Sequence, residues 1–168
     1  IVNVVSKSGG TIETALAFRV LENYMVKRFG ELESSERIIV TTDAKKGSLH
    51  HLSQRKSYKS FIIPDDVGGR FSCLTPVGLL PLSLAGFCVT SLIDGADSLY
   101  KSLIDYNSKS DNQQQIHPVV QNACVRHAAW EKGKRIEVMS YANPKFNHFI
   151  EWWKQLFAES EGKNNKGL

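Results

Sequence analysis

Three hydroxyl side chains, a lysine and two adjacent glycines follow the first apolar run of the chain, at residues 6–11 (SKSGGT). Glycines let a backbone approach a ligand closely, and the N–H groups at a helix start attract anions. Hydroxyl groups can donate to phosphate oxygens, and a lysine adds positive charge. The loop therefore favours a phosphate monoester, with Ser6, Lys7, Ser8 and Thr11 as candidate ligands. A plain turn that ends in an N-cap at Thr11 explains the same residues equally well, and the GxxxxGK spacing of a P-loop is absent.

Two further places in the sequence could carry acid–base or charge-stabilising chemistry. Gly69 and Arg70 lie in a glycine-containing segment, residues 65–72 (DDVGGRFS), where a guanidinium could stabilise developing negative charge. Gln155 and Glu159 are four residues apart, so they share a face if the last helix continues to Glu159. Taken singly, a glutamate at a helix end is usually a solvated charge, and an arginine after two glycines usually pairs with an acid.

These segments occur in the order found in the glucose-6-phosphate isomerases, which the chain resembles over nearly its whole length. Residues 65–72, followed by LTPVGL at 74–79, resemble the signature of that family, with its centre of two glycines, an arginine, an aromatic residue and a serine. The loop at 6–11 resembles the family's phosphate loop, except that Gly10 stands where threonine is usual, which removes one hydroxyl. Residues 151–163 (EWWKQLFAESEGK) resemble its catalytic-glutamate segment. The resemblance is to an internal part of the bacterial type.

The resemblance implies an aldose–ketose isomerase that interconverts glucose 6-phosphate and fructose 6-phosphate, in glycolysis and gluconeogenesis, without a metal or cofactor. Glu159 would be the base that moves a proton between C1 and C2 through an enediol, and Arg70 would face the enediolate. Gly69 would leave room for the substrate, and Gln155 would contact it. The family's Gly-Gly-Ser loop, ring-opening histidine and C-terminal lysine cannot be matched in these 168 residues. We therefore expect little or no activity from this segment alone.

A second function class uses the same fold without chemistry. A sugar-phosphate-binding module that regulates a partner would need the phosphate loop but neither Arg70 nor the Glu159 segment. The presence of both favours the isomerase. Members of the family are homodimers that build the site partly from the neighbouring subunit, so the resemblance also implies a homodimer.

The elements that must position these residues alternate between strands and helices. Runs of β-branched residues at 1–6, 37–42 and 60–64 predict strands, and helices are predicted from Thr11 and over 47–56. Strands joined by helices form parallel sheets, so the fold class is α/β. The resemblance implies the doubly wound, three-layer sugar-isomerase (SIS) fold. On this view residues 1–87 are the C-terminal part of a first such domain, and 88–168 are a helical connection and the start of a second.

Apolar periodicity makes the helix and strand predictions more specific. In the first helix Ile12, Leu16, Val20 and Tyr24 recur every four residues, so this face should lie on the sheet, and the helix should end near Gly30. Residues 76–87 are apolar on all sides and predict a buried helix. Residues 135–141 (RIEVMSY) alternate like a strand that could open a second sheet. Further helices are predicted at 91–106, 117–132 and 145–159.

The composition is that of a globular protein, with 42% hydrophobic and 23% charged residues. The net charge of +4 comes from basic residues scattered among 17 acidic ones, which argues against a nucleic-acid partner. No apolar run reaches the length of a membrane span, the start lacks the charged region of a signal peptide, and both ends look cut from a longer chain. Cys73, Cys88 and Cys124 lack metal-binding spacing, and the first two lie in apolar surroundings typical of buried thiols. We therefore expect a reduced, cytoplasmic protein.

Two residue pairs invite functional interpretations that the sequence does not favour. His50 and His51 are adjacent, which directs their side chains differently, so a metal pair is not expected. Trp152 and Trp153 fit packing in a core or interface better than a platform that stacks on a sugar, although carbohydrate enzymes do use aromatic side chains.

Overall fold

The computed structural model describes residues 1–108, 116–164 and 166. The chain divides into two compact units, Ile1–Thr90 and Ser91–Leu168, called unit 1 and unit 2 below. The assignment of the chain to two sugar-isomerase domains, divided after residue 87, stays a prediction.

A parallel sheet forms the centre of unit 1. Its three strands, in the order β1-β2-β3, are β1 (Val2–Val5), β2 (Ile38–Thr42) and β3 (Lys59–Ile62). Val4 pairs with Val40, and Thr41 pairs with Phe61. The central strand β2 is buried at every position, as its β-branched sequence requires. The predicted strands and the α/β class are confirmed, with strand ends shifted by one or two residues.

Helix α1 (Ile12–Arg37) follows β1 and packs on the sheet. Phe18 and Met25 are buried in one core cluster, whose other members are Val4, Ile38, Val40, Leu49 and Tyr58. Gly30 has a φ of 77°, and the helix kinks there before it resumes. The backbone angles of Gly30 are not helical, so a first helical segment ends there, as predicted, and a second segment continues to Arg37.

The face of α1 that contacts the sheet is not the one predicted. Ile12, Leu16, Val20 and Tyr24 are exposed by 70%, 57%, 69% and 55%. Leu16 and Phe18 are two positions apart, which is about 200° around a helix, so α1 is apolar on two nearly opposite sides. The buried side is the one with Phe18 and Met25. Periodicity alone identified an apolar stripe but could not show which of two stripes the core would take.

Two more helices complete unit 1. Helix α2 (Ser48–Lys56) connects β2 to β3, as predicted. Helix α3 (Pro76–Leu84) begins at a proline, and the Thr75 hydroxyl at its N-cap accepts from the Val77 N–H at 3.3 Å. The predicted helix is present, but its predicted burial is wrong, since no residue of α3 is buried and Phe87 is 65% exposed. A helix that is apolar all round needs cover on every side, and the described residues do not supply it.

Unit 2 is helical. Its elements are α4 (Val89–Ser108), whose first two residues belong to unit 1, α5 (Pro118–Glu131), a 3₁₀ turn (Pro144–Phe146), α6 (Asn147–Gln155) and a π-helical turn (Leu156–Glu161). The strand predicted at 135–141 is wrong, because these residues have no regular structure and Ile136 and Val138 are more than 80% exposed. An alternating pattern becomes a strand only beside a partner strand, and unit 2 offers none among its described residues.

The three thiols are all exposed and unbridged. The prediction that Cys73 and Cys88 are buried is wrong for the same reason as for α3, since their apolar neighbours are themselves exposed. Among the described residues, no helix combines the length and the apolar character that crossing a bilayer requires.

Candidate functional site

The loop after β1 is held by its own serines. The Ser6 hydroxyl is buried and accepts from the Gly9 N–H at 3.1 Å, and the Ser8 hydroxyl accepts from the Gly10 N–H at 3.1 Å. A hydroxyl that accepts one hydrogen bond still has its own proton to donate. Gly9 has a φ of 72°, and a side chain there would overlap the start of α2. The glycine is therefore needed for the turn, and both serines keep a donor for a ligand.

Thr11 occupies the N-cap position of α1 but does not act as a cap with its side chain. Its backbone carbonyl accepts from the Ala15 N–H at 2.9 Å, while its hydroxyl makes no capping hydrogen bond to the described residues. The interpretation of Thr11 as an ordinary capping threonine therefore does not describe this helix start. The N-terminal N–H groups of α1 and the Thr11 hydroxyl lie at the same end of the helix, where an anion is favoured.

Lys7 joins the loop after β1 to the loop after β3. Its Nζ atom donates to the carbonyl of Asp65 at 2.9 Å and to that of Pro64 at 3.4 Å, and it lies 3.8 Å from the Asp65 carboxylate. The Lys7 carbonyl accepts from the Asp43 N–H and from the Thr42 hydroxyl, each at 3.2 Å. Lys7 thus contacts residues that follow both other strands, at the edge where the carboxyl ends of the parallel strands meet.

The loop after β2 packs directly on the loop after β1, which is the candidate phosphate loop. The Asp43 carboxylate accepts from the N–H groups of Lys45 at 2.8 Å and Lys46 at 2.9 Å, and these hydrogen bonds lower the pKa of Asp43 below its usual value. The Ser48 N–H donates to the Ser8 carbonyl at 3.0 Å. Gly47 has a φ of 92° and its Cα faces the same carbonyl so closely that a Cβ could not fit.

These contacts border an open pocket of about 380 Å³. It is lined by Lys7, Ser8, Thr11, Asp43, Lys46 and Gly47. Three of the four candidate phosphate ligands meet here, whereas Ser6 lines a separate pocket of about 300 Å³ beneath the loop, with Thr14 and Arg19 among its neighbours. Lys46 was missed by the sequence analysis. The signal that could have found it is its position just after the strand next to β1, because neighbouring parallel strands end at the same edge.

Arg70 lies in a 3₁₀ segment (Gly69–Leu74) that follows the loop held by Lys7. The Ser72 hydroxyl donates to the Gly69 carbonyl at 2.6 Å, and the Phe71 N–H donates to the Gly68 carbonyl at 3.0 Å, so the segment has a fixed turn. Arg70 is half-buried. A Cβ built on Gly69 would contact no atom within 4 Å, which leaves open space beside the arginine.

Glu159 lies in the π-helical turn of unit 2. The Gln155 amide Nε2 donates to Glu159 Oε2 at 3.1 Å, and Lys163 Nζ donates to the Glu159 carbonyl at 2.6 Å. The expectation that Gln155 and Glu159 share a face is confirmed. Short π-helical turns inside helices are frequent at functional sites, since they change the direction in which one side chain points. The catalytic and substrate-contact roles of these two residues stay predictions.

Trp153 is a packing residue in unit 2. Its ring lies 4.5 Å from that of Phe157, and its Nε1 donates to the Glu137 carboxylate at 3.3 Å. The Arg126 guanidinium stacks on Phe157 at 4.0 Å and also pairs with Glu137. These contacts fit the interpretation of Trp153 as part of a core, and Trp152 is likewise half-buried against Phe149.

His50 and His51 have their rings 5.5 Å apart at 75° to one another, on α2. Within residues 1–108, 116–164 and 166, no group of three or more histidines, cysteines, aspartates or glutamates is arranged to hold a metal ion.

Comparison with known proteins agrees with the order of the motifs. A family model described as phosphoglucose isomerase matches residues 1–166. Glucose-6-phosphate isomerases from Clostridium perfringens (strain SM101 / Type A) and Alkaliphilus metalliredigens (strain QYMF) are 48% and 49% identical over 166 residues, and each alignment covers 99% of this chain. The chain spans only 36% of the length of these curated relatives. A crystal structure of a hypothetical protein from Thermus thermophilus is similar over 95% of the chain and 36% of its own, with a TM-score of 0.79 at 33% identity.

Proposed function

The chain belongs to the phosphoglucose isomerase family, and from this premise we propose that it supplies the phosphate site and the proton-transfer base of an enzyme that interconverts glucose 6-phosphate and fructose 6-phosphate. The observation that carries the proposal is the pocket at the start of α1, where Ser8, Thr11 and two lysines line a space of about 380 Å³. The reaction belongs to glycolysis and gluconeogenesis.

The phosphate group of the sugar is bound by the loop after β1. Ser8 and Thr11 donate hydroxyl hydrogen bonds to phosphate oxygens, and the N-terminus of α1 favours the negative charge. Ser6 supports the loop from below, because its hydroxyl accepts from the Gly9 N–H and fixes the turn. Holding the phosphate positions the distant C1 and C2 atoms, so this binding contributes to the rate as well as to affinity.

Proton transfer is assigned to Glu159. In the ring-opened aldose its carboxylate removes the proton on C2, and the electron pair forms the C1–C2 double bond of an enediolate whose negative charge lies on O1. The hydroxyl proton of O2 then passes to O1, the C2 carbonyl forms, and the carboxylic acid of Glu159 returns its proton to C1 to give the ketose. Gln155 orients the carboxylate, since its amide donates to one of the two carboxylate oxygens. Arg70 stabilises the negative charge that develops on the enediolate oxygens, and it cannot compete as a proton donor because a guanidinium stays protonated.

Two properties of the whole protein accompany this proposal. The protein acts as a homodimer in the cytoplasm, as the resemblance implies. The three unbridged, exposed thiols support a reducing compartment. The exposed apolar stripe on α1 supports further packing partners for unit 1, because such a surface is seldom left open to water.

The alternative of a non-catalytic binding module is not favoured. The curated relatives that match 99% of the chain are named glucose-6-phosphate isomerase. A binding module would also have no use for a glutamate oriented by Gln155 in a segment of its own.

The test is the conversion of fructose 6-phosphate to glucose 6-phosphate by the full-length protein that contains this segment, wild type against Glu159→Gln. We expect kcat to fall by about 10²- to 10⁴-fold, because a general base supplies about that factor. Inhibition by inorganic phosphate should be unchanged, since Glu159 is not part of the pocket. The matched control is Glu151→Gln on the preceding helix, which should keep full activity. Unchanged turnover in Glu159→Gln would remove this residue from the mechanism and revive the binding module.

A further inference from the structure

Lys7 and Lys46 both line the phosphate pocket, but they are held in different ways. An ammonium group has three N–H donors. The ammonium of Lys7 already donates to the carbonyls of Pro64 and Asp65 and lies near the Asp65 carboxylate. Two of its three donors therefore join the loops after β1 and β3. The side chain of Lys7 thus connects two loops of the same chain.

Lys46 is held in the pocket by its backbone. Its N–H donates to the Asp43 carboxylate at 2.9 Å, and the next residue, Gly47, packs on the Ser8 carbonyl. This packing requires glycine, so the loop after β2 is built to lie against the loop that carries Ser8 and Thr11. Lys46 is exposed and is one of the residues that line the pocket.

The charges of the pocket also call for a second cation. A phosphate monoester carries about −1.5 to −2 charges at pH 7. Asp43 lines the same pocket, and the hydrogen bonds that lower its pKa keep it ionised. Lys7 is shared with the loop after β3, so a second cation would improve the charge balance beside a bound phosphate, and Lys46 lines the pocket where it could supply that charge.

We propose that Lys46 is a phosphate-binding residue of this site, and that Lys7 is a positioning residue that ties the loop leading to Arg70 to the phosphate loop. The inference rests on the proposed function and assigns a different role to each of the two lysines that line the phosphate pocket. Lys46 acts on the affinity for the sugar phosphate. Lys7 donates to the Pro64 carbonyl, six residues before Arg70, and so helps to place Arg70. Through this placement it affects turnover.

The experiment measures kcat, KM for fructose 6-phosphate and the inhibition constant for inorganic phosphate in the full-length protein. Lys46→Gln should raise the inhibition constant and KM about tenfold, which corresponds to one hydrogen bond to a charged group. Lys45→Gln is the matched control, because Lys45 is the adjacent lysine but does not line the pocket. It should change either constant by less than about twofold.

Lys7→Gln should show the opposite split. We expect kcat to fall about tenfold or more while the inhibition constant for phosphate changes by less than about threefold, because Arg70 is displaced and the pocket hydroxyls stay. Lys7→Arg should recover part of kcat, since a guanidinium can also donate to two carbonyls. A purely structural role would lower stability without this split between kcat and phosphate affinity, so thermal unfolding is recorded for every variant.

Two results would overturn the inference. If Lys46→Gln behaves like Lys45→Gln, then Lys46 does not bind phosphate. If Lys7→Gln weakens phosphate binding with kcat intact, then Lys7 is the phosphate cation. The double variant Ser8→Ala, Thr11→Val separates these results from a failure of the proposed function. If the lysine variants fail as described but the double variant loses inhibition by phosphate, the phosphate site stands and only the roles of the lysines are rejected. If the double variant is still inhibited by phosphate, the phosphate site itself is rejected.

Discussion

Unit 1 and unit 2 hold their candidate site residues over very different distances along the sequence. In unit 1, the hydrogen bond from Lys7 to Asp65 spans 58 residues, and that from Thr42 to Lys7 spans 35. In unit 2, Glu159 is hydrogen bonded to residues four positions before and four positions after it. The phosphate pocket is therefore set by the tertiary structure of the sheet edge, and the direction of the Glu159 carboxylate is set by the phase of one helix.

This difference predicts how each region responds to change. A substitution that disturbs the packing of the loop after β2 on the loop after β1 should alter the phosphate pocket, because both loops line it. The position of the Glu159 side chain should respond mainly to substitutions within residues 155–163, where its hydrogen-bond partners lie. The variants below test this contrast with paired changes, one in each unit.

The largest effect on stability is expected at the glycine that joins two loops of unit 1. Gly47→Ala should lower the free energy of unfolding by about 2–4 kcal/mol, since the residue has a positive φ and its new Cβ would overlap the Ser8 carbonyl. Gly133→Ala in unit 2 is the matched change, because its φ is also positive, at 80°, but nothing lies within 4 Å. It should cost about 1 kcal/mol. Urea unfolding measures both.

The same pair sharpens the functional contrast. Gly47→Ala should also weaken inhibition by inorganic phosphate, because the loop that carries Lys46 would move away from Ser8. Gly133→Ala should leave phosphate inhibition unchanged. Equal losses of stability in the two variants would mean that the loops after β1 and β2 are not packed together as described.

A smaller effect is expected from two tyrosines with similar hydrogen bonds. Tyr58 is buried and donates to the Glu22 carboxylate at 2.6 Å; burial, followed by this hydrogen bond and the charge of Glu22, raises the pKa of Tyr58 well above its usual value. Tyr141 in unit 2 is exposed and donates to the Asn147 amide oxygen at 2.8 Å. Tyr58→Phe should cost about 1–2 kcal/mol, and Tyr141→Phe less than about 0.5 kcal/mol.

Native-state hydrogen exchange would assign each loss to its unit. The amides of α1 and β3 should exchange faster in Tyr58→Phe, since Tyr58 links them through Glu22. A cost for Tyr141→Phe as large as that for Tyr58→Phe would contradict the view that unit 2 depends mainly on local contacts.

The smallest expected effect is on the stability of the protein at acidic pH. Hydrogen bonds from Lys45 and Lys46 lower the pKa of Asp43 in the folded protein, so the carboxylate contributes stability above its unfolded pKa, near 3.9, and this contribution is lost as the pH falls through the lower folded value. Asp43→Asn should therefore flatten the decline in stability below about pH 4. The matched substitution in unit 2 is Asp94→Asn on α4, and acid unfolding is recorded for both variants.

The sequence predicted local elements better than burial. All three strands and all six α-helices of the described residues follow from runs of β-branched residues and from helical periodicity, because these patterns depend on backbone geometry. The errors at the Ile12–Tyr24 stripe, at α3 and at Cys88 share one cause. Each inferred burial from apolar character, whereas burial also requires a second surface, which the described residues do not provide.

The candidate site divides in the same way. The Ser6–Thr11 loop and the Gly69–Arg70 segment are visible in sequence because each is continuous and carries its own glycines. The contribution of Lys46 is not visible in sequence, because it depends on contact between the loop after β2 and the loop after β1. The strand predicted at 135–141 failed because pairing, like a pocket, is a property of two segments.

The π-helical turn at Leu156–Glu161 gives the Glu159 segment a dependence on residue count. Such a turn closes its hydrogen bonds over five residues instead of four, so it contains one residue more than an α-helix would need. If the turn became a regular α-helix without losing a residue, everything after it would rotate by about 100°. The Glu159 carboxylate would then point elsewhere although no functional side chain had changed. Over evolutionary time, this segment should therefore reject substitutions that favour a regular α-helix over the π-helical turn.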